Sequence, residues 1–352
     1  MFSGIPQLAQ IGMFEKMSLK SVLRRADGKA KPVETPVRHD EAVSYAMAHA
    51  FERNSVVPEH ALLQAALAKG CGQMDLERIK REIHEKGDLV RVGDQYSSRE
   101  ILETELYLIS SMENAKDAVR PINPDYVPSS KLGRDQAEAV RLILKSPDLF
   151  TGIRGLAGTG KSTALGELAF ELKWAGRKAF FCAPTAAAAD VLRQDGLEAV
   201  TLQKLLVDGM LRSRLNKRAV VILDEAGAVG IDDMKSLFRL AQEQGFRIVL
   251  SGDTGQHSSV ARGDALRILE QHSRYAFGEL TQLRRQRQAD YLQVVELAAN
   301  KQSEKAFLQL EQMGCVTEQT HGAIYESAAR AYVDSIQKGK SALLVSPTWK
   351  EI

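Results

Sequence analysis

The chain has 352 residues, of which 44% are hydrophobic and 26% are charged, as expected for a folded soluble protein. It has no apolar run of roughly eighteen residues, so no membrane span is predicted, and residues 1–12 do not resemble a secretory leader. Three cysteines, too far apart for a zinc-binding spacing, favour a reducing cytoplasm over a disulfide framework. The net charge of +2 neither indicates nor excludes a nucleic acid, because a balanced total can hide a local basic track.

The amino-terminal third of the sequence predicts a tail followed by a small helical domain. Residues 1–40 mix charges with glycine and proline and show no sustained periodicity, which predicts a flexible tail or linker. Residues 41–120 then show the apolar spacing of three short helices, followed by a short strand near Val90 and a second strand, returning beside it, near Tyr96. This order predicts a mostly helical, winged-helix-like domain, with a generic helical subdomain as the alternative.

The rest of the sequence predicts an α/β sheet. Three prolines between residues 120 and 129 predict a linker, and residues 130–300 alternate strand and helix patterns, which favours a parallel sheet. Residues 301–352 predict a helical connection and a further strand at 342–345. The candidate strands of the sheet are 149–154, 179–183, 219–223, 247–251 and 277–280. Ligands of such sheets bind at the carboxyl ends of the strands, where the motifs below occur.

The segment after the first of these strands matches the phosphate-loop pattern G-x-x-x-x-G-K-[ST]. Glycines let backbone N–H groups point at phosphate oxygens, Lys161 reaches the β and γ phosphates, and Ser162 ligates Mg²⁺. An ordinary glycine-rich turn is a poor explanation, because a strand precedes the loop and a helix follows it. The residues predicted to cradle the phosphates are Gly155, Gly158, Thr159, Gly160, Lys161, Ser162 and Thr163.

Two other strands lead to residues that suit phosphate hydrolysis. Asp224 is placed to hold Mg²⁺ through its water shell, and Glu225 to orient or deprotonate the attacking water. Gln256 follows the strand 247–251, and its uncharged amide can hydrogen-bond the γ phosphate. Each of these pieces alone also fits a solvated turn, but their order behind a phosphate loop favours an ATPase.

DNA contacts are less directly visible in the sequence. Pro184 and Thr185 follow the strand 179–183, and a rigid proline beside a hydroxyl suits contact with a sugar-phosphate backbone. A basic run also fits either DNA binding or a solvated face; it consists of Arg212, Arg214, Lys217 and Arg218.

With these motifs in this order, the chain resembles superfamily 1 DNA helicases, in particular the RecD-like branch and the helicase region of MobF-type conjugative relaxase-helicases. The resemblance runs from about residue 37 to the end and is densest over residues 132–288. It implies a RecA-like P-loop domain that binds and hydrolyses ATP with Mg²⁺. It further implies binding to single-stranded DNA, movement from 5′ to 3′, and a link to the conjugation machinery.

The resemblance also assigns roles to individual residues. It implies that Gln136 reads the adenine, and that Pro184 and Thr185 contact single-stranded DNA. A similar contact is implied for Thr201, although Gln203 stands where the family commonly has histidine. Residues 280–286 resemble the motif that carries a γ-phosphate arginine. The matching position is Arg285, which leaves Arg284 as a neighbour on the surface.

Some features of the resembled proteins are missing. None of the seven histidines forms a His-x-His cluster, so strand nicking is not predicted. Residues 341–352 resemble only the opening of a second RecA-like domain. Because closure between two domains drives translocation, we expect this chain alone to bind nucleotide weakly and turn over little ATP.

Two alternatives to a motor remain open. A kinase or GTPase would require an Asn-Lys-x-Asp motif to recognise the nucleotide base, and the sequence lacks this motif. A non-motor remnant, by contrast, would bind DNA or a protein partner and use nucleotide as a structural ligand.

Overall fold

The computed structural model describes residues 37–70, 73–156, 158–253, 255, 261–282, 284 and 289–346. The chain divides into two compact units, residues 1–102 and residues 103–352. None of the described helices is both long enough and apolar enough to cross a bilayer. Most of the predicted tail lies outside the described residues, and the first described helix begins at His39.

The first unit combines three helices with a small antiparallel sheet, whose strand order is β1–β3–β2. Its core is built from the buried faces of the helices, for example Ala46, Leu62 and Ile79. The order of its elements agrees with the winged-helix-like expectation. These elements are α1 (His39–Ala50), β1 (Val57–Pro58), α2 (Glu59–Gly70), α3 (Leu76–Glu85), β2 (Leu89–Val92) and β3 (Gln95–Ser98).

The second unit is an α/β structure, as expected. Its strands are β4 (Phe150–Gly155), β5 (Lys178–Ala183), β6 (Ala199–Thr201), β7 (Ala219–Leu223), β8 (Arg247–Gly252) and β9 (Phe277–Leu280). The helices, the first of which begins in the first unit, are α4 (Arg99–Asn114), α5 (Arg134–Lys145), α6 (Lys161–Trp174), α7 (Ala186–Gln194), α8 (Leu202–Val207), α9 (Gly209–Ser213), α10 (Ile231–Gln244), α11 (Ala265–His272), α12 (Ala289–Ala299), α13 (Ser303–Gln312) and α14 (His321–Gln337). The sequence predicted five of these six strands and missed β6.

The six strands form one parallel sheet in the order β6–β5–β7–β8–β4–β9. Strand β8 therefore lies between β4, which precedes the phosphate loop, and β7, which precedes the acidic pair. Because all the strands are parallel, their carboxyl ends share one edge of the sheet. The predicted motifs lie at this carboxyl edge.

Both faces of the sheet are covered by helices, which explains why β7 is apolar throughout and fully buried. On one face, α5, α6 and α7 pack against alternate strand residues such as Ile153 and Ile222. On the other face, the rings of Phe150 and Phe238 from α10 stack with centroids 4.4 Å apart.

The predicted strand at 342–345 does not form. This segment has no regular secondary structure, and Leu343 is 85% exposed. A strand needs a neighbour to satisfy its backbone hydrogen-bonding groups, and no described strand pairs with it. Apolar composition alone was therefore misleading here.

Candidate nucleotide site

The phosphate loop joins β4 to α6 by a turn that requires glycine. Gly158 and Gly160 have φ angles of 84° and 81°, in the left-handed region that other residues rarely adopt. A Cβ atom on Gly155 would lie 2.8 Å from Thr159 Oγ1 and 2.9 Å from the Leu280 Cβ atom. The loop is thus shaped by close backbone approach, as a phosphate cradle needs.

The first turn of α6 presents the polar groups of the loop. Lys161 is half-buried, and its Nζ donates a hydrogen bond of 2.5 Å to the carbonyl of Gly155. Ser162 and Thr163 are exposed beside it. The first N–H groups of a helix have no partner within the helix, and together with the helix dipole they favour an anion at this position.

Gln136 ties α5 to the phosphate loop. Its side chain is 2% exposed and accepts a hydrogen bond of 2.9 Å from the Gly133 N–H. Its Nε2 donates to the carbonyl of Gly160 at 2.9 Å. The amide that we predicted to read adenine therefore touches the loop directly, and both of its ends are engaged with the backbone.

The acidic pair follows β7 at the same edge. Ser251 on β8 donates a hydrogen bond of 2.7 Å from its hydroxyl to the Asp224 carboxylate, and the Asp224 N–H donates to the carbonyl of Cys182 at 2.9 Å. Ser251 is fully buried. The sequence predicts Ser251 at the end of a strand, but no pattern in it marks this serine as the partner that orients Asp224.

Glu225 links the acidic pair to the phosphate loop. Its backbone is left-handed, with φ of 53° and ψ of 37°, a strained conformation for a non-glycine residue that is typical of functional sites. Partial desolvation raises the pKa of Glu225 although its side chain is exposed, and the neighbouring Asp224 carboxylate raises that pKa further. The Lys161 ammonium group opposes both effects on the pKa. One carboxyl thus experiences the charges of both motifs.

The third motif is described only in part. Asp253, directly after β8, is nearly buried and accepts a hydrogen bond of 2.8 Å from the Gly255 N–H. Gln256 and Arg285 lie outside the described residues, so their predicted contacts with the γ phosphate stay predictions.

Arg284 is not a surface neighbour, contrary to expectation. Its Nη2 donates to Asp135 at 2.5 Å, and its backbone N–H donates to the carbonyl of Gly158 at 2.8 Å. Burial raises the pKa of Asp135, but hydrogen bonds from the Gln282 N–H and from Arg284 outweigh burial, so the pKa lies below its ordinary value. The ion pair thus fastens the segment after β9 to α5, and the Arg284 N–H fastens it to the loop. Spacing alone gave no signal for this long-range pair.

The predicted DNA-contact residues lie at the carboxyl ends of β5 and β6, where each threonine caps a helix. Thr185 is exposed, and its Oγ1 accepts from the Ala188 N–H at 3.1 Å. Thr201 is half-buried and accepts from the Lys204 N–H at 3.2 Å. Pro184 is half-buried beside Thr185. These residues share the edge with the phosphate loop, while their hydroxyls already have a structural role.

Known proteins are similar to the part of the chain that contains the candidate nucleotide site. A family model described as an AAA domain matches residues 131–321, which is 191 of the 352 residues. The multifunctional conjugation protein TraI of Escherichia coli K12 is 31% identical over 226 residues, which cover 58% of this chain and 13% of TraI. The conjugal transfer protein TraA of Agrobacterium fabrum C58 is 25% identical over 240 residues, which cover 66% of this chain and 22% of TraA. The chain therefore spans well under a third of the length of these relatives.

Among solved structures, the Pif1 helicase from Candida albicans is similar at 18% identity and a TM-score of 0.39, covering 48% of this chain and 44% of that one. A similarity this low identifies neither an activity nor a site. The match to the family model extends over more than half of the sequence, and the TraI and TraA matches agree with the resemblance to relaxase-helicases. The chain belongs to the AAA domain family.

Proposed function

We propose that the second unit binds ATP with Mg²⁺ at the carboxyl edge of its sheet and hydrolyses it to move along single-stranded DNA. The main supporting observation is geometric: β8 lies between β4 and β7, and its buried Ser251 donates a hydrogen bond of 2.7 Å to the Asp224 carboxylate. The phosphate loop and the acidic strand end therefore face a common space, as one hydrolytic site requires.

The triphosphate would lie against the loop and the first turn of α6. Gly158 and Gly160 let the loop turn tightly, and N–H groups at the helix start, including those of Ser162 and Thr163, would donate to phosphate oxygens. Lys161, which now donates to a carbonyl of the loop, would exchange that contact for the β and γ phosphates. Thr159 is buried and bonds the carbonyl of Leu156, so its side chain shapes the loop.

Ser162 and Asp224 are the residues that would hold Mg²⁺. A hydroxyl and a carboxylate are the hard oxygen donors that this ion prefers, with further ligands from phosphate and water. The hydrogen bond from Ser251 fixes the Asp224 carboxylate at the strand end. The bound ion would neutralise phosphate charge.

Glu225 would accept the proton of the attacking water, because its carboxyl directly follows the proposed Mg²⁺ ligand Asp224 at the same strand end. Gln256 and Arg285 would contact the γ phosphate, as the helicase resemblance implies. Gln136 would give up its bond to Gly160 to read the adenine, which would couple base recognition to the shape of the loop.

Single-stranded DNA would pass over the starts of α7 and α8, where it would meet Pro184, Thr185 and Thr201. The 5′ to 3′ direction and a role in conjugation are proposed from the resemblance and from the TraI and TraA relatives. Changes in ATP occupancy at the carboxyl edge would reach this DNA path through β5 and β7, which are paired along their length.

The test is the substitution Lys161→Ala, with Lys305→Ala as the control for removing an exposed lysine far from the loop in sequence. We expect Lys161→Ala to abolish binding of a fluorescent ATP analogue and DNA-stimulated hydrolysis, with an unchanged circular dichroism spectrum. Binding and hydrolysis equal to those of Lys305→Ala would refute the proposed site. Because this chain alone is expected to turn over little ATP, the non-motor alternative would be favoured by binding without DNA-stimulated hydrolysis both in this chain and in one extended through a second RecA-like domain.

A further inference from the structure

Two short basic segments meet at the edge of the sheet opposite the proposed ATP site. Residues 173–178 include three basic side chains, residues 212–218 include four, and neither segment contains an acidic residue. The first segment joins the end of α6 to the start of β5, and the second joins α9 to the start of β7. We call the surface formed by these two segments and Phe170 the basic-aromatic surface.

Backbone contacts hold the two segments together. Lys178 pairs with Ala219 where β5 and β7 begin, and the Lys178 N–H donates to the carbonyl of Arg218 at 3.1 Å. The Arg177 guanidinium donates to the carbonyl of Lys217 at 2.7 Å. The concentration of positive charge is therefore a property of the fold and extends beyond the run visible in the sequence.

The basic side chains of this surface are not neutralised by neighbours. Within the described part of the chain, none of them forms an ion pair with a carboxylate, whereas many other arginines, such as Arg154, Arg193 and Arg274, do. The pKa of the nearby Arg247 is lowered to about 10, first by burial and then by the positive charge of Arg177. The seven side chains are Lys173, Arg177, Lys178, Arg212, Arg214, Lys217 and Arg218.

Two aromatic side chains stand exposed on the same side of α6. Phe170 is 62% exposed and Trp174 is 81% exposed. Because they are four residues apart in a helix, they are neighbours on one helix face. Trp174 directly follows the basic Lys173. An aromatic side chain as exposed as that of Trp174 contributes little to the packing of this unit.

The basic-aromatic surface is separate from the proposed ATP site. It lies at the amino ends of β5 and β7, whereas the phosphate loop and Asp224 lie at carboxyl ends. The length of β5 places roughly 17 Å between the two edges, at about 3.3 Å for each residue step. A ligand at one edge does not touch the other unless it is long.

We propose that the basic-aromatic surface is a second binding site for single-stranded nucleic acid. Arginine and lysine would hold the phosphates, and Trp174 would stack on an unpaired base. Charge complementarity selects a polyanion, and the exposed indole selects one with open base faces. A duplex hides its base faces within its stack, and an acidic protein segment has none.

The test uses the full chain with Trp349→Phe, which leaves Trp174 as its only tryptophan. The titration uses an oligothymidine of about 15 nucleotides, within the roughly 4–16 nucleotides that one OB-fold domain covers. It should quench the Trp174 fluorescence until the site is saturated. Combined Arg212→Ala, Lys217→Ala and Arg218→Ala should weaken binding at least about tenfold. The triple substitution should also flatten the slope of log affinity against log salt by about 2, because each phosphate of a single strand that is no longer neutralised reduces that slope by about 0.7.

The matched control removes three exposed lysines from the carboxyl-terminal region, Lys305, Lys338 and Lys340, and should leave affinity and salt slope unchanged. Trp174→Ala, followed by anisotropy of a labelled oligothymidine, should weaken binding about tenfold, the effect of removing one stacked base. The quenching of Trp174 should persist both in Lys161→Ala without nucleotide and in Thr185→Ala, which separates this site from the proposed ATP site and from the proposed DNA path over α7.

Three outcomes would overturn the proposal. The first is Trp174 emission that does not respond to saturating oligothymidine. The second is equal affinity for the two triple variants. The third is displacement of the oligothymidine by polyglutamate or by duplex DNA at equal concentration, which would assign the surface to an acidic protein or to a duplex instead.

Discussion

The ion pair between Asp135 and Arg284 gives the sharpest prediction about how the site is held together. Asp135 is nearly buried and accepts from four donors: the Arg284 guanidinium and the backbone N–H groups of Gln136, Thr281 and Gln282. The substitution Asp135→Ala leaves all four donors without this acceptor. We therefore expect it to loosen the segment after β9 from α5 and from the phosphate loop.

The size of the effect follows from burial and charge. Removing one partner of a fully buried ion pair costs about 3–5 kcal/mol, because the remaining charge is left without compensation; the Arg284 side chain is 27% exposed, so the cost here lies near the lower end, at about 3 kcal/mol. We expect Asp135→Ala to lower the free energy of unfolding by about that amount. Asp135→Asn should cost less, since an amide oxygen still accepts. In a double-mutant cycle with Arg284→Ala, we expect a coupling energy of about 1.5–3 kcal/mol, the usual size for a charged hydrogen bond.

The pH dependence of this contribution has a definite sign. The folded-state pKa of Asp135 lies below its ordinary value of 3.8. The stabilisation is therefore fully present above that ordinary value and is lost as the pH falls through the lower, folded-state pKa. The stability difference between the unsubstituted chain and Asp135→Asn should be constant near neutral pH and should shrink below about pH 4.

Urea unfolding of the four proteins of the cycle and of Asp135→Asn, at pH 7 and near pH 3, measures all of these quantities. The surface pair Arg330–Glu326 on α14, whose side chains are 80% and 74% exposed, is the matched control and should give a coupling below about 1 kcal/mol. A coupling for Asp135 and Arg284 as small as that of the control would refute the inferred fastening role.

Two further substitutions test single contacts in the site. Ser251→Ala removes the hydroxyl that orients Asp224, so we expect DNA-stimulated ATP turnover to fall about tenfold with ATP affinity little changed. The control Ser236→Ala on α10 should have no effect. Unchanged turnover in Ser251→Ala would show that Asp224 needs no such support. Thr185→Ala removes a helix cap and should cost about 1 kcal/mol in stability. It should also weaken binding of single-stranded DNA, with Thr185→Ser restoring both properties, and a stability loss at unchanged DNA affinity would restrict Thr185 to capping.

The sheet was predictable because its signals are local. Strand β7 is fully buried and correspondingly apolar, and its bounds match the prediction 219–223. The phosphate loop was equally visible, because Gly158 and Gly160 stand where the backbone needs a positive φ angle, which glycine tolerates. The three-residue strand β6 was missed because it is too short to produce a recognisable alternation.

What the sequence could not reveal depends on long-range contacts. Arg284 and Asp135 are 149 positions apart, and no pattern along the chain connects them. The basic-aromatic surface likewise needs the pairing of β5 with β7, which brings Lys178 beside Ala219. The prediction of a strand at 342–345 was wrong for the opposite reason, because a local apolar pattern cannot supply the partner that a strand requires.

The most direct measurement of the proposed chemistry is the rate at which bound ATP is hydrolysed by Glu225→Gln in the presence of single-stranded DNA. This substitution preserves the shape of the side chain, so we expect ATP affinity to stay within about twofold, while hydrolysis falls by about a hundredfold or more through loss of the base. Hydrolysis by Glu225→Gln at the unsubstituted rate would contradict the proposal that the acidic strand end and the phosphate loop form one ATPase site.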